Sequence, residues 1–207
     1  MKFHEFKNTL NKPYFSSLDI SLRGLTVYPS QLSLWKKQGK IQFLKRGLYC
    51  FSERKNELQR EQVAFLLCNP SYVSMESALS YYGFIPEMVF STTLVTPKIN
   101  RKFSNDFGTF LYRHLKSDLF FGYVVQQRGA EGKSLMAEPE KAILDYFYLN
   151  LGRIQDRDDI EGLRLNYDEI AEKIDYEQFL RYRRQFHIAK LDRVTDIVLT
   201  LCLPSNK

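Results

Sequence analysis

The sequence is poor in the residues that build metal centres and redox sites. Only three cysteines occur among 207 residues, and Cys50, Cys68 and Cys202 form no CxxC pair and no spacing that a zinc site requires. They are expected as buried small hydrophobes. His4, His114 and His187 are equally scattered, so neither a metal nor a cofactor is expected. Long apolar runs are missing as well. The longest, residues 63–68 and 197–203, fall far short of the roughly 20 residues that cross a bilayer, so no membrane partner is expected. Residues 1–12 alternate charge with Phe and His and lack the apolar stretch and cleavage site of an export signal, which gives cytoplasmic as the expected location.

What is in excess is positive charge, and it is unevenly placed. The formal net charge is +6. Residues 1–55 carry eleven Lys and Arg against three Asp and Glu, a local +8, whereas residues 56–207 carry nineteen against twenty-one, or −2. A basic segment this lopsided points to a polyanionic partner. An apolar fraction of 44% is ample for a core, either as one large domain or as a small module joined to a second.

Turn chemistry and hydrophobic spacing divide the chain. Residues 3–10 read as a first helix; Ser16 or Ser17 followed by Leu18, Ile20 and Leu22 reads as a second, ended by Gly24. A third begins near Pro29, whose missing N–H suits the first helical position, and stops at Gly39. Alternation then takes over: Ile41, Phe43, Tyr49 and Phe51 share strand spacing around the turn Lys45-Arg46-Gly47. A helix pair followed by a hairpin with a basic tip describes a winged helix-turn-helix, expected over residues 1–55 with its boundary near 53–57. Residues 56–207 are expected as a mixed α+β domain with a mostly antiparallel sheet and a helical C-terminal tail. Its expected helices lie up to Leu67, after Ser74, from Glu138-Pro139-Glu140 through Leu149, and two or three over residues 168–203; its expected strands are 90–95, 108–114, 120–125 and 133–137, with turns at Pro97, Ser117-Asp118 and 129–132.

The third helix carries the candidate site. On a helical wheel Tyr28, Leu32 and Trp35 gather into a core stripe, and Ser30, Ser33, Leu34 and Lys37 lie opposite. Small hydroxyls, an apolar group able to touch a thymine methyl and a lysine suit a surface that enters the major groove of double-stranded DNA. Arg23, Lys36 and Lys40 flank it for phosphate contact, and Lys45 and Arg46 stand at the hairpin tip, towards the backbone or the minor groove.

Two stretches imitate catalytic motifs. Gly132-Lys133-Ser134 has the end of a phosphate loop, yet Gln127 stands where its first glycine belongs and an apolar strand follows instead of a helix. Glu138, Glu140, Lys141 and Asp145 resemble a metal-nuclease cluster, but acidic residues and Pro at this point also start a helix. Helix initiation accounts for them, and an enzyme is not expected. Glu76 is read as structural.

Taken as a series, Leu44-Lys45-Arg46-Gly47-Leu48-Tyr49, then Tyr72-Val73-Ser74 with Ser77-Ala78-Leu79 and Tyr82-Gly83-Phe84, then Ala137-Glu138-Pro139-Glu140-Lys141-Ala142-Ile143-Leu144-Asp145, resemble the AbiEi-type antitoxins over residues 15–149. The resemblance implies a repressor of its own toxin-antitoxin operon that binds operator DNA and counteracts a nucleotidyltransferase-like toxin without a tight complex. It also points to basic C-terminal residues, for which Arg181, Arg183 and Arg184 are the candidates. Two other readings stand beside it. One is a stand-alone DNA-binding regulator whose C-terminal domain senses a ligand or partner. The other is an enzyme acting on nucleic acid through the acidic cluster 138–145.

Overall fold

A computed structural model of the chain describes residues 1–127, 133–154 and 156–202. The first 51 residues run helix, strand, helix, helix, strand, strand: α1 (Phe3–Asn8), β1 (Tyr14–Ser16), α2 (Ser17–Leu22), α3 (Pro29–Lys37), β2 (Ile41–Lys45) and β3 (Leu48–Phe51). The strands form an antiparallel sheet in the order β1-β3-β2. Local chemistry explains each boundary. Ser16 and Asp19 cap α2 reciprocally, the Asp19 N–H donating to Ser16 Oγ (3.1 Å) and the Ser16 N–H to the Asp19 carboxylate (2.7 Å). Pro29 opens α3, and Gly39 beyond its end takes a φ of +68°, which a side chain resists. Gly47 turns the hairpin at φ +76°, and its carbonyl accepts the Ser17 N–H (2.9 Å), tying the tip to the start of α2.

Aromatic packing holds this module. Phe6, Phe15, Trp35 and Phe51 are buried with Leu10, Ile20 and Ile41; Phe6 stacks on Trp35 at 5.1 Å and meets Phe15 edge-on at 4.9 Å. The hairpin's other face goes elsewhere. Leu44, Leu48 and Cys50 are buried in the core of the following region, so the hairpin belongs to both cores.

After a 3-10 turn (Ser52–Glu57) come α4 (Arg60–Leu67), β4 (Tyr72–Val73), α5 (Met75–Tyr82), β5 (Ser91–Thr96), β6 (Arg101–Asn105), β7 (Gly108–His114), β8 (Tyr123–Gln127), β9 (Lys133–Ala137) and α6 (Pro139–Asn150). The sheet order is β6-β7-β5-β4-β9-β8, with β5/β7 and β4/β9 parallel and the other pairs antiparallel. The chain is thus mixed α+β with mostly antiparallel sheets. Three strands, β1, β4 and β6, were not expected from the sequence. The strand expected from residue 120 starts at Tyr123, because Ser117–Leu119 forms a 3-10 turn and Phe120 follows it. The turn expected at 129–132, and with it Gly132, lies outside the described residues.

The C-terminal helices are α7 (Arg157–Glu161), α8 (Tyr167–Lys173), α9 (Tyr176–Arg184) and α10 (Ala189–Cys202). They are not a tail. Ile160, Ile170, Phe179, Leu191, Val194 and Val198 enter the large core, and α9 and α10 close over α6. Enclosed on all sides, α6 buries seven of its twelve residues, including Lys141 and Asp145 with side chains 0% exposed.

These two charges pair one helical turn apart. Lys141 Nζ donates to the Asp145 carboxylate and to Tyr72 Oη (2.9 Å), while Asp145 accepts from Tyr72 Oη (2.9 Å) and Ser74 Oγ (2.8 Å). The ammonium also lies 4.9 Å and 5.2 Å from the ring centroids of Phe121 and Phe186. Burial pushes the Lys141 pKa down and the Asp145 pKa up, and their mutual attraction opposes both shifts. The network fastens β4 to α6 from inside. Asp145→Ala, which strands a buried ammonium, is expected to cost about 3–5 kcal/mol in urea unfolding. The double variant Lys141→Met/Asp145→Leu is expected to lose less, and a single variant within ~1 kcal/mol of the wild type would contradict the assignment.

Candidate nucleic-acid interface

Helix α3 is oriented by one residue. Trp35 is only 5% exposed, inserted between Phe3 and Phe6, and Leu32 packs partly against the same cluster. Since side chains advance about 100° per residue, fixing Trp35 inward turns Ser30, Ser33, Leu34 and Lys37 outward. All four are exposed, Leu34 by 51%. Tyr28 departs from the expected core stripe. It is the residue before the helix, with extended backbone (φ −80°, ψ 150°), so the helical wheel does not apply to it and its ring is 62% exposed.

The flanking cations are differently employed. Lys36 Nζ lies 5.1 Å from the ring centroid of the exposed Phe43, and Lys40 Nζ lies 5.3 Å from that of Phe3. Both remain solvent-exposed, so their stems lie along aromatic surface with the charges outside. Arg23, also exposed, donates to the Thr9 carbonyl at the end of α1. Arg46 is exposed at the hairpin tip.

Lys45 does not stand at the tip with it. Its ammonium donates to the carbonyls of Leu66 (3.0 Å) and Leu67 (2.7 Å), the last turn of α4, where unpaired carbonyls and the helix dipole favour a cation. Burial holds its pKa below the usual lysine value; the nearby Lys98 and Arg101 act in the same direction. A register shift in the β2/β3 ladder between Phe43 and Lys45 accompanies this placement. Lys45 therefore docks the hairpin onto α4.

No acidic residue lies between Asp19 and Glu53 in the sequence. Among the described residues, the ion pairs of this module join Lys7 to Glu53 and Arg54 to Glu57, and none engages Lys36, Lys37, Lys40 or Arg46. Among the described residues, the exposed cations of α3 and the hairpin tip thus enter no ion pair; Asp106 shares a cleft with Lys36.

Beside this face the two sheets meet edge to edge. Asn105 Nδ2 on β6 donates to the Leu44 carbonyl on β2 (3.2 Å). A cleft of about 420 Å³ opens next to this bond, lined by Lys36, Gly39 and Phe43 on one side and Ser104, Asn105 and Asp106 on the other. Sequence reasoning assigned no role to β6, because its basic residues sit in a region whose total charge is slightly negative.

The other candidate groups have structural partners. Glu138 accepts from Tyr182 Oη (2.5 Å), and Glu140 accepts from the Asp175 N–H (2.7 Å) and Gln178 Nε2 (3.2 Å). With Asp145 in the buried network, the carboxylates of the acidic cluster brace α6 against α9 and β4. No group of three or more His, Cys, Asp or Glu that could hold a metal ion occurs among the described residues. Arg183, 16% exposed at its side chain, pairs with Asp192 (3.5 Å) and Asp196 and so ties α9 to α10, whereas Arg181 and Arg184 are exposed.

No protein-family model matches the chain, and no curated protein matches it.

Because Lys45 satisfies two helix-end carbonyls, Lys45→Ala is expected to destabilise the fold by about 1–3 kcal/mol, read as a lower thermal midpoint. Arg46→Ala, beside it in sequence, is expected to leave the midpoint unchanged. Equal midpoints for both variants would show that the Lys45 bonds do not matter.

Proposed function

We propose that residues 1–55 form a winged helix-turn-helix that binds double-stranded DNA and that the protein is a transcriptional repressor. The element order and the sheet order β1-β3-β2 support the first part, with α2 and α3 as the helix pair and β2–β3 as the wing. The observation that carries the reading is the outward face of α3. Ser30, Ser33, Leu34 and Lys37 are exposed together on a helix anchored by Trp35, in a stretch without acidic residues.

In this reading α3 lies in the major groove. Ser30 and Ser33 reach base edges, Leu34 meets a thymine methyl, and Lys37 enters with them. Lys36, Lys40 and Arg23 neutralise phosphates on either side, and Arg46 holds the backbone from the wing. Lys45 does not touch the duplex; it sets the angle of the wing. Occupying an operator in this way blocks transcription from it. The resemblance to AbiEi-type antitoxins makes that operator the protein's own, within a toxin-antitoxin operon, and a nucleotidyltransferase-like toxin the product it counteracts. The enzymatic reading has no support in the acidic cluster, whose carboxylates are held by Tyr182, Gln178, Lys141 and backbone groups.

The test is a mobility shift on DNA from upstream of the gene across a salt series. Removing one phosphate-binding cation is expected to flatten the plot of log affinity against log salt by roughly 0.9. The triple variant Lys36→Ala/Lys37→Ala/Arg46→Ala is therefore expected to bind more weakly at every sequence, with a slope shallower by roughly 2.7. Ser33→Ala is expected to narrow the gap between operator and unrelated DNA without changing the slope. Unaltered affinity in a folded triple variant would falsify the DNA reading, and failure to rescue growth when co-expressed with an adjacent toxin gene would remove the antitoxin role.

A further inference from the structure

The two longest stretches free of acidic residues are 20–52 and 88–105, and the fold lays them side by side. The second holds Lys98, Arg101 and Lys102, all exposed. Strand β6 lies beside β2. Asn105 bonds Leu44, and Ser104 to Asp106 share a cleft with Lys36 and Phe43. Arg101 stands three and four residues before Ser104 and Asn105 on the same short strand, and its charge reaches the Lys45 ammonium at the end of α4. Asp106, the acid nearest to Arg101 along the chain, lines the cleft.

The geometry separates the three cations. Lys98 Nζ donates to the Asn69 carbonyl in the loop after α4 and is engaged there. Lys102 shares a strand face with Ser104, a residue of the cleft, so it continues the surface that begins at Lys36. Arg101 lies on the face of Asn105, the one turned to the hairpin. Among the described residues no ion pair engages either; β6 ends its own sheet, and β2 lies beside it. Charged side chains on an edge strand also guard it against pairing with another sheet, but that role requires no alignment with a second basic surface. Here the alignment is present.

We infer that the nucleic-acid surface extends beyond the N-terminal module, with Arg101 and Lys102 of β6 gripping the phosphate backbone of the duplex alongside the wing. The inference rests on the DNA-binding reading above. It gives the second region a direct share in binding: the wing and β6 form one continuous rail, fixed by the Asn105–Leu44 bond and the Lys45 anchor. The grip is on phosphate, so it adds affinity and orientation without sequence preference.

The experiment measures the full chain on a mixed-sequence duplex of about 30 base pairs by fluorescence anisotropy over a salt series. It compares wild type with Lys37→Ala, Arg101→Gln/Lys102→Gln, the charge-preserving Arg101→Lys/Lys102→Arg, and Arg193→Gln as an exposed cation on α10. The β6 double variant is expected to flatten the log–log slope by roughly 1.8, two phosphates at 0.9 each, with the charge-preserving pair close to wild type and Arg193→Gln unchanged. Binding by wild type that weakens in Lys37→Ala but not in the β6 double variant overturns this inference and leaves the DNA reading intact. A per-charge loss in Arg193→Gln equal to that of the β6 variant also overturns it, since net charge then accounts for the effect. If wild type does not bind the duplex at any salt, both readings fall.

Discussion

The hairpin β2–β3 packs into both cores, and the placement of α3 depends on that. Strand side chains alternate, so Ile41, Tyr49 and Phe51 enter the aromatic cluster around Phe6 and Trp35, while Leu44, Leu48 and Cys50 enter the large core. Burial of an apolar side chain contributes about 1.5–3 kcal/mol, against about 0–1 for an exposed ion pair, so this two-sided packing outweighs the surface interactions between the modules. It sets the direction of α3 through Trp35 and brings β2 against β6. A hairpin packed on one side only would be free to swing.

Burial also sorts the charges into two kinds. Lys45 is engaged by the carbonyls at the end of α4, Lys98 by the Asn69 carbonyl in the loop after it, Lys141 and Asp145 by each other, Glu138 and Glu140 by α9, and Arg183 by α10. Each of these stands where two elements meet. Lys36, Lys37, Lys40, Arg46, Arg101 and Lys102 are among the cations that remain exposed, on and beside α3 and the hairpin, while others such as Arg181 and Arg184 are exposed on α9. The same residue type is an internal strut in one place and a surface charge in the next, as Lys45 and Lys36 illustrate.

Helices with caps and a regular apolar period were legible: α2 behind Ser16, α3 between Pro29 and Gly39, α5 ended by Gly83, and α6 behind Glu138-Pro139. The long strands β7 and β9 were legible to the residue. The missed strands share one cause. β1 and β4 have three and two residues, too few for alternation to show, and exist through pairing with β3, β5 and β9. β6, with the pattern RKFSN, buries no residue fully and owes its strand to β7. Tyr28 was misplaced because a helical wheel was extended across a residue with extended backbone.

From the order of residues alone came the α+β class, the caps and turns, the local +8 charge and the polar outer face of α3, since these depend on neighbours within a few positions. Tertiary structure decided which lysines remain at the surface, because pairing and burial are set by residues far apart in the chain. It decided that Lys45 closes α4, that Lys141 and Asp145 share the core, and that β6 joins the hairpin across some sixty positions of sequence, as the Asn105–Leu44 bond shows. A charge count along the chain averages over those distances; only folding brings two acid-free stretches into one surface.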